Sequence, residues 1–306
     1  MKNFINQFSQ ENRFSFYAPF FRVFIGLYLL KDIIITWNFN GLLYKGDSFL
    51  HPDPAAILDY FNLDTGVMRE YFEIFMFSYI LVILLFLFGI GKRYTAILLF
   101  IHLELIQNFA WLTLNGGDNL MKFVVLYYIF IDSYNRFSIK PLQFKNEEAK
   151  KFSNFISNLA GYSLCAHFCL VYFVSAVHKI HADVWFNGVA TYYVLGSERF
   201  QGTSWNSILV QSGVFVTLST YGTILIELIY PFLIWFKKTK YPMMVCSILL
   251  HSGIGIFMML YDFQIVFILL QGFFLSNKEW DKLLKWIDTT IEWCKIKLTA
   301  KLKTNP

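Results

Sequence analysis

Charge is what this sequence has least of. Asp, Glu, Lys and Arg make up 15% of its 306 residues, where a soluble globular domain carries about a quarter. The length would allow one or two soluble domains, but no soluble-looking block is present. Cysteine is also scarce. Of four residues, Cys165, Cys169 and Cys246 sit in apolar runs and Cys294 in the tail. That excludes a disulfide scaffold and reads as small hydrophobes in a helix bundle. No glycine-rich phosphate loop follows a strand, and no serine-elbow motif occurs. A basic patch interleaved with aromatics is missing too, so nucleic acid is not an expected partner.

What the chain has is apolar length. Hydrophobic residues make up 56% of it, with 35 Phe and eight Trp. Runs of the roughly 20 residues needed to cross a bilayer recur along the sequence. They do not alternate, and lipid offers no partner to an open backbone, so helices are expected. About eight spans can be drawn, near 15–37, 71–91, 94–114, 119–135, 152–180, 212–236, 241–260 and 262–276. The expected fold is an all-α, polytopic membrane bundle over 15–276. A cytoplasmic N-terminus, 1–14, precedes it and a tail, 277–306, follows. The first run is not a cleavable signal peptide, because Arg22, Lys31 and Asp32 interrupt it and no small-residue cleavage site follows.

Lys and Arg fall in alternate connections. They occur at Lys92 and Arg93, then Arg136 to Lys151, then Lys237, Lys238 and Lys240, and again in the tail. The first loop, 38–70, carries Asp47, Asp53, Asp59, Asp64 and Glu70 against Lys45 and Arg69. The positive-inside rule then places both termini in the cytoplasm of a bacterial-type plasma membrane. The aromatic outer stretch 182–205 is expected to be re-entrant or to lie at the interface. The tail places Trp280, Leu283, Leu284, Ile287 and Ile291 at helical spacing among lysines. A basic amphipathic helix on the inner leaflet is expected, with the lipid bilayer as its partner.

Ionisable groups inside spans are costly and point to partners or function. They fall in two depth layers. Glu104, Glu227 and His251 each lie about ten residues, or some 15 Å, from the inner end of their spans. His102 and Asn108 flank Glu104. The three can form a proton-handling cluster or a structural buried pair. The outer layer holds Lys179 with His178, His181 and Asp183, and Asp118 with Asn119 after Gly116 and Gly117. Lys179 and Asp183 pair if the helix continues. Alternatively, Lys179 is a base in apolar surroundings. Cys165, His167 and Cys169 cannot converge on a metal, because His167 points about 200° away from Cys165 on a helix. Arg22 is expected to meet aromatic faces or Asp132.

The stretch YFVSAVHKIHADVWFNGVATYYVL, 172–195, resembles the central segment of the horizontally transferred transmembrane family. That family includes the membrane domain of the vitamin K-dependent gamma-glutamyl carboxylase. Its pattern is a helix ending in Lys plus an apolar residue, a short polar run, a Trp, and a Gly-containing helix with paired tyrosines. Here those are Lys179, Ile180, His181 to Asp183, Trp185, Gly188, Tyr192 and Tyr193. FFRVFIGLYLLKD (20–32), NGGDNLMKFVVLYYIFIDSYNRFS (115–138), YGTILIELIYPFLIWFKKTK (221–240) and HSGIGIFMMLYDF (251–263) match in order. The resemblance implies a membrane-embedded site on the non-cytoplasmic side, with a reduced, vitamin K-like quinone as cofactor and Lys179 as the base that deprotonates it. His178, His181, Asp183 and Asp118 would orient the base or its substrate. Tyr192 and Tyr193 would line the mouth, and Glu104, Glu227 and His251 would sit near a quinone or lipid head. Neighbours in the family include bacterial proteins such as the sporulation-delaying toxin maturation component. A secreted peptide and other membrane proteins are therefore implied as partners, either of an enzyme or of a non-enzymatic scaffold.

Overall fold

The computed structural model describes residues 2–44, 70–109 and 113–303, with side chains over 5–44, 70–109 and 113–293. Asp47, Asp53, Asp59, Asp64, Lys45 and Arg69 of the first loop lie outside the described residues. So do the side chains of Cys294, Lys295, Lys297, Lys301 and Lys303. Among the described residues every regular element is helical. Short helix α1 (Lys2–Gln10) leads into α2 (Tyr17–Thr36) and α3 (Asn40–Tyr44). Then follow α4 (Phe72–Leu87), α5 (Arg93–Phe109), α6 (Gly116–Tyr128) and the long α7 (Glu147–Ile180). Three short pieces, α8 (Asp183–Phe186), α9 (Ala190–Gly196) and α10 (Trp205–Leu209), connect to α11 (Gly213–Leu233). The chain ends with α12 (Lys240–Met258), α13 (Tyr261–Leu270), a 3-10 turn (Gln271–Phe274) and α14 (Asn277–Lys303).

Each expected span overlaps a helix among the described residues, although α6 ends at Tyr128 within the expected 119–135, and length separates the helices into classes. α7, α11 and α12, of 34, 21 and 19 residues, are long and apolar enough to cross a membrane by length and composition. α4 and the Tyr261–Phe274 stretch are apolar but shorter. α6 has 13 residues, which at 1.5 Å each is about 20 Å, short of the roughly 30 Å hydrocarbon core. α2 reaches 20 residues but carries Arg22, Lys31 and Asp32. Among the described residues three helices are thus membrane-capable, and an eight-span count is a finer statement than helix length alone supports.

Local chemistry explains where the helices start and how they meet. Asn146 caps α7 by accepting from the Ala149 amide at 2.8 Å, and Glu147 and Glu148 complement the helix dipole. The first turns of α7 are polar for a reason. Asn158 Nδ2 donates to the carbonyls of Phe8 and Glu11 at 2.7 and 2.8 Å. Asn154 Nδ2 reaches those of Ser9 and Gln10. These amides satisfy the carbonyls at the end of α1, which helical geometry leaves without partners. Within the N-terminal segment, helix α1 (Lys2–Gln10) is therefore docked on α7.

Arg22 holds the next joint. It is fully buried. Its guanidinium donates to the carbonyls of Ser133 (2.7 Å) and Phe137 (2.5 Å) and to Ser138 Oγ (2.9 Å), and lies 5.2 Å from the centroid of the Tyr134 ring. The expected aromatic contact is present. Asp132 instead accepts from the Tyr134 amide at 3.2 Å. The planar fork of Arg suits several carbonyls at once. Tyr17, Phe21, Phe86, Tyr128 and Phe273 pack against one another in an aromatic core.

The stretch expected to be re-entrant or interfacial folds as the short helices α8 to α10. Gly188, at φ +73°, turns the chain between α8 and α9 against the Tyr221 ring, whose hydroxyl donates to the Phe186 carbonyl at 2.7 Å. Asn206 pins this segment to the end of α12 through the Phe257 carbonyl at 2.8 Å.

The start of α14 is anchored as well. Trp280 stacks on Tyr17 with centroids 4.7 Å apart and donates to the Gly272 carbonyl. Glu279 accepts from Lys240 Nζ (2.6 Å), the Tyr241 hydroxyl (2.8 Å) and both the amide and the hydroxyl of Ser276 (2.8 and 2.7 Å). Farther along, Leu284, Trp286, Ile291 and Trp293 are exposed.

Two outcomes follow from these joints. Arg22→Lys is expected to cost about 2–3 kcal/mol, because an ammonium cannot reproduce the fork, and Arg22→Ala more. Urea unfolding in detergent micelles reads this. Burial would raise the Glu279 carboxyl, but its hydrogen bonds from Lys240, Ser276 and Tyr241 bring it down to about 2. Its folded value lies below the unfolded one, near 4.3. It therefore contributes stability above about pH 4.5 that is lost as pH falls toward 2. The melting temperature of Glu279→Gln should lack the part of the acid slope that wild type shows in that window.

Candidate functional site

The last turns of α7 carry a polar stripe on an apolar helix: Tyr172, Ser175 and Lys179, at i, i+3 and i+7. That spacing puts all three on one face. The face looks onto α11, which brings Glu227, and α12, which brings His251. Lys179 Nζ donates to both oxygens of Glu227, at 2.9 and 2.7 Å, and to Ser175 Oγ at 2.6 Å. The Trp185 ring, from α8, lies 5.1 Å from the ammonium. Lys179 and Glu227, drawn in separate depth layers, therefore meet.

A second polar link lies beside this pair. The Tyr172 hydroxyl is 2.6 Å from His251 Nε2 and 2.7 Å from Ser247 Oγ. The Tyr172 ring stacks on Tyr230, and the imidazole stacks on Phe267. His251 Nδ1 is buried and has no hydrogen-bond partner among the described residues.

These groups line one cavity of about 800 Å³. Lys179, Glu227, Tyr172, His251 and Trp185 line it together with Ser175, Thr191, Ser219 and Thr223, and Leu249, Leu250, Ile254 and Phe257 of α12 contribute to its apolar wall. Leu249 lines the cavity and is also 66% exposed, so the cavity opens on the apolar perimeter. Gly222 and Gly253 line it too, and a Cβ at either would meet nothing within 4 Å.

The other expected site residues lie elsewhere. Asp183 is exposed and begins α8, because α7 ends at Ile180. The continued helix that would pair it with Lys179 is absent. His178 and His181 are exposed, and His181 Nδ1 lies against the Val177 carbonyl. Tyr192 and Tyr193 are exposed, pack edge-on against each other and are not part of the cavity lining. Glu104 does not join Glu227 and His251. It pairs with Lys122 of α6 at 3.0 Å. His102 hydrogen-bonds Ser78 and stacks on Tyr79. Asp118 closes a capping box with Asn115 at the start of α6, while Asn119 is exposed. Cys165 and Cys169 are buried, and His167 contacts the Tyr127 hydroxyl at 3.2 Å. Sequence reasoning missed Tyr172, Ser175 and Lys122. For the first two, the i, i+3, i+7 polar stripe ending at Lys179 was the available signal.

The uncharacterised protein YitO of Bacillus subtilis (strain 168) is similar to this chain, at 24% identity over 278 residues that cover 87% of each protein. No family model matches the chain. No solved structure matches it either.

Breaking a buried pair by removing one partner strands a charge, at a cost of about 3–5 kcal/mol, whereas apolar replacement of both is often neutral. Glu227→Ala is expected to destabilise by that amount. Lys179→Met combined with Glu227→Leu should recover most of it. Unfolding midpoints of the singles and the double in micelles measure the cycle.

Proposed function

We propose that this is a membrane-embedded, carboxylase-like protein that modifies or matures a peptide or lipid-borne substrate at the non-cytoplasmic face. One observation carries the reading: a lysine–glutamate pair stands in a large, mostly apolar cavity that opens on the apolar perimeter. In this reading eight helices lie in the plasma membrane with both termini cytoplasmic, following the alternation of Lys and Arg. The short helices among them complete the bundle, and α14 rests on the inner leaflet.

The pair suits proton handling. Transfer of the shared proton from Lys179 to Glu227 leaves a neutral amine, which can take a proton from an acidic hydroxyl in the cavity. Ser175 holds the amine in place, and Trp185 covers it. His251 Nδ1 offers a hydrogen bond to a hydroxyl or carbonyl, and Tyr172 fixes the imidazole from the other side. His251 and Lys179 would hold the polar head of a reduced quinone, and the α12 side chains lining the cavity would hold its apolar body. When bound, it would supply the reducing electrons for oxygen-dependent chemistry. The cavity's opening on the perimeter supports entry from lipid.

A second reading has its own support. The two Glu227 oxygens and Ser175 engage all three donors of the lysine. A saturated pair is also what a structural joint requires. The protein would then be a non-enzymatic scaffold that binds a secreted peptide or lipid.

Oxygen consumption by the full chain in lipid nanodiscs, with reduced naphthoquinones and carbonate, separates the two. Uptake is expected that disappears in Lys179→Ala and in Gly253→Leu, which fills the cavity. Folded protein that takes up no oxygen with any quinone supplied leaves only the scaffold reading.

A further inference from the structure

A second cavity, of about 250 Å³, lies on the other side of the Asn115–Gly117 turn. Gly116 lines the first cavity and Asn115 the second. A Cβ on Gly117 would come within 2.9 Å of the Phe263 backbone, so the wall between them is tight. The second cavity is independent of the Lys179 reading.

Three carboxylates share its lining: Asp32 of α2, Asp118 of α6 and Asp262 of α13. Lys31 supplies one compensating charge. Its Nζ is 2.7 Å from Asp32 and also pairs with Asp262. Asp118 accepts only from uncharged donors in the described structure, the Tyr28 hydroxyl at 2.8 Å and the Asn115 amide at 2.9 Å. Among the described residues, one cation thus pairs with two of three carboxylates.

Gln107 provides the independent observation. It is 7% exposed and lines the same cavity. Its Nε2 donates to the Asp118 carbonyl at 2.9 Å, which fixes the amide's orientation. Its Oε1 is buried and has no partner among the described residues. A buried acceptor without a donor is costly, and a polar ligand that brings N–H groups removes that cost. No group of three His, Cys, Asp or Glu among the described residues is placed to hold a metal. The side chains of Asp32 and Asp262 are 37% and 47% exposed, so the cavity has a mouth.

We propose that this cavity binds a primary ammonium group, with Gln107 Oε1 and the Asp32 and Asp118 carboxylates as its acceptors. The volume suits the end of a lysine side chain or an ethanolamine head, not a whole lipid. An ethanolamine phospholipid and a lysine-bearing peptide present the same chemistry.

The full chain in detergent would be titrated with two matched pairs of probes. One pair is phosphatidylethanolamine against phosphatidylcholine, followed by native mass spectrometry. The other is a lysyl peptide against its trimethyl-lysyl form, followed by thermal shift. The primary ammonium member of at least one pair should bind about tenfold more tightly, because a quaternary ammonium has no N–H for Gln107. Preference in the first pair identifies the lipid head, and in the second the peptide amine. Gln107→Leu and Asp32→Asn should each abolish that preference. Absence of preference in both pairs overturns the proposal, as does a preference unchanged in folded Gln107→Leu. The wild-type comparison stands even if a variant fails to fold.

Discussion

An ion held among apolar helices costs several kcal/mol unless another part of the chain neutralises it. In this protein that cost is met across elements, and so it fixes which helices touch. Lys31 of α2 pairs with Asp262 of α13. Lys122 of α6 pairs with Glu104 of α5. Lys179 of α7 pairs with Glu227 of α11, and Lys240 of α12 with Glu279 of α14. Each bond is specific in a way that Phe-on-Phe contact is not, because a misplaced helix would strand a charge. Arg22 does the same with backbone carbonyls in place of a carboxylate. The aromatic core fills the space that these joints define.

The same constraint makes the cavities informative. Most buried polar atoms find partners. Two that lack one among the described residues, His251 Nδ1 and Gln107 Oε1, line different cavities on either side of the α6–α13 contact. One cavity is large and mostly apolar, with a lysine–glutamate pair. The other is small and acidic. An apolar molecule with a polar head suits the first, and a cationic head suits the second. A protein acting on a lipid-borne or peptide substrate would have use for both kinds of recognition.

Much of the candidate site was legible before any coordinates. Lys179, Glu227 and His251 stand out as ionisable groups in or at the end of apolar runs, Trp185 stands out in the aromatic outer stretch, and all four line the large cavity. Glu104 stood out equally but faces Lys122, because depth along a helix says nothing about the side it faces. The pairing of Asp183 with Lys179 was open on the condition that α7 continue past Ile180, and the helix ends there. Tyr172 and Ser175 were passed over because neither residue type is costly enough in a span to attract notice. Their role depends on the neighbours that α11 and α12 bring.

Composition and hydropathy by themselves determined the helical class, the positions of the long helices, and the presence of membrane-length apolar elements. These are local properties, set by what backbone and side chain need within about 20 residues. Pairing was decided only by tertiary structure. Which acid meets Lys179, how α1 docks on α7, and where two cavities remain all depend on helix rotation and on contacts 48 to 150 residues apart. The sequence lists the charges that need partners, and only the packed bundle brings those partners within reach.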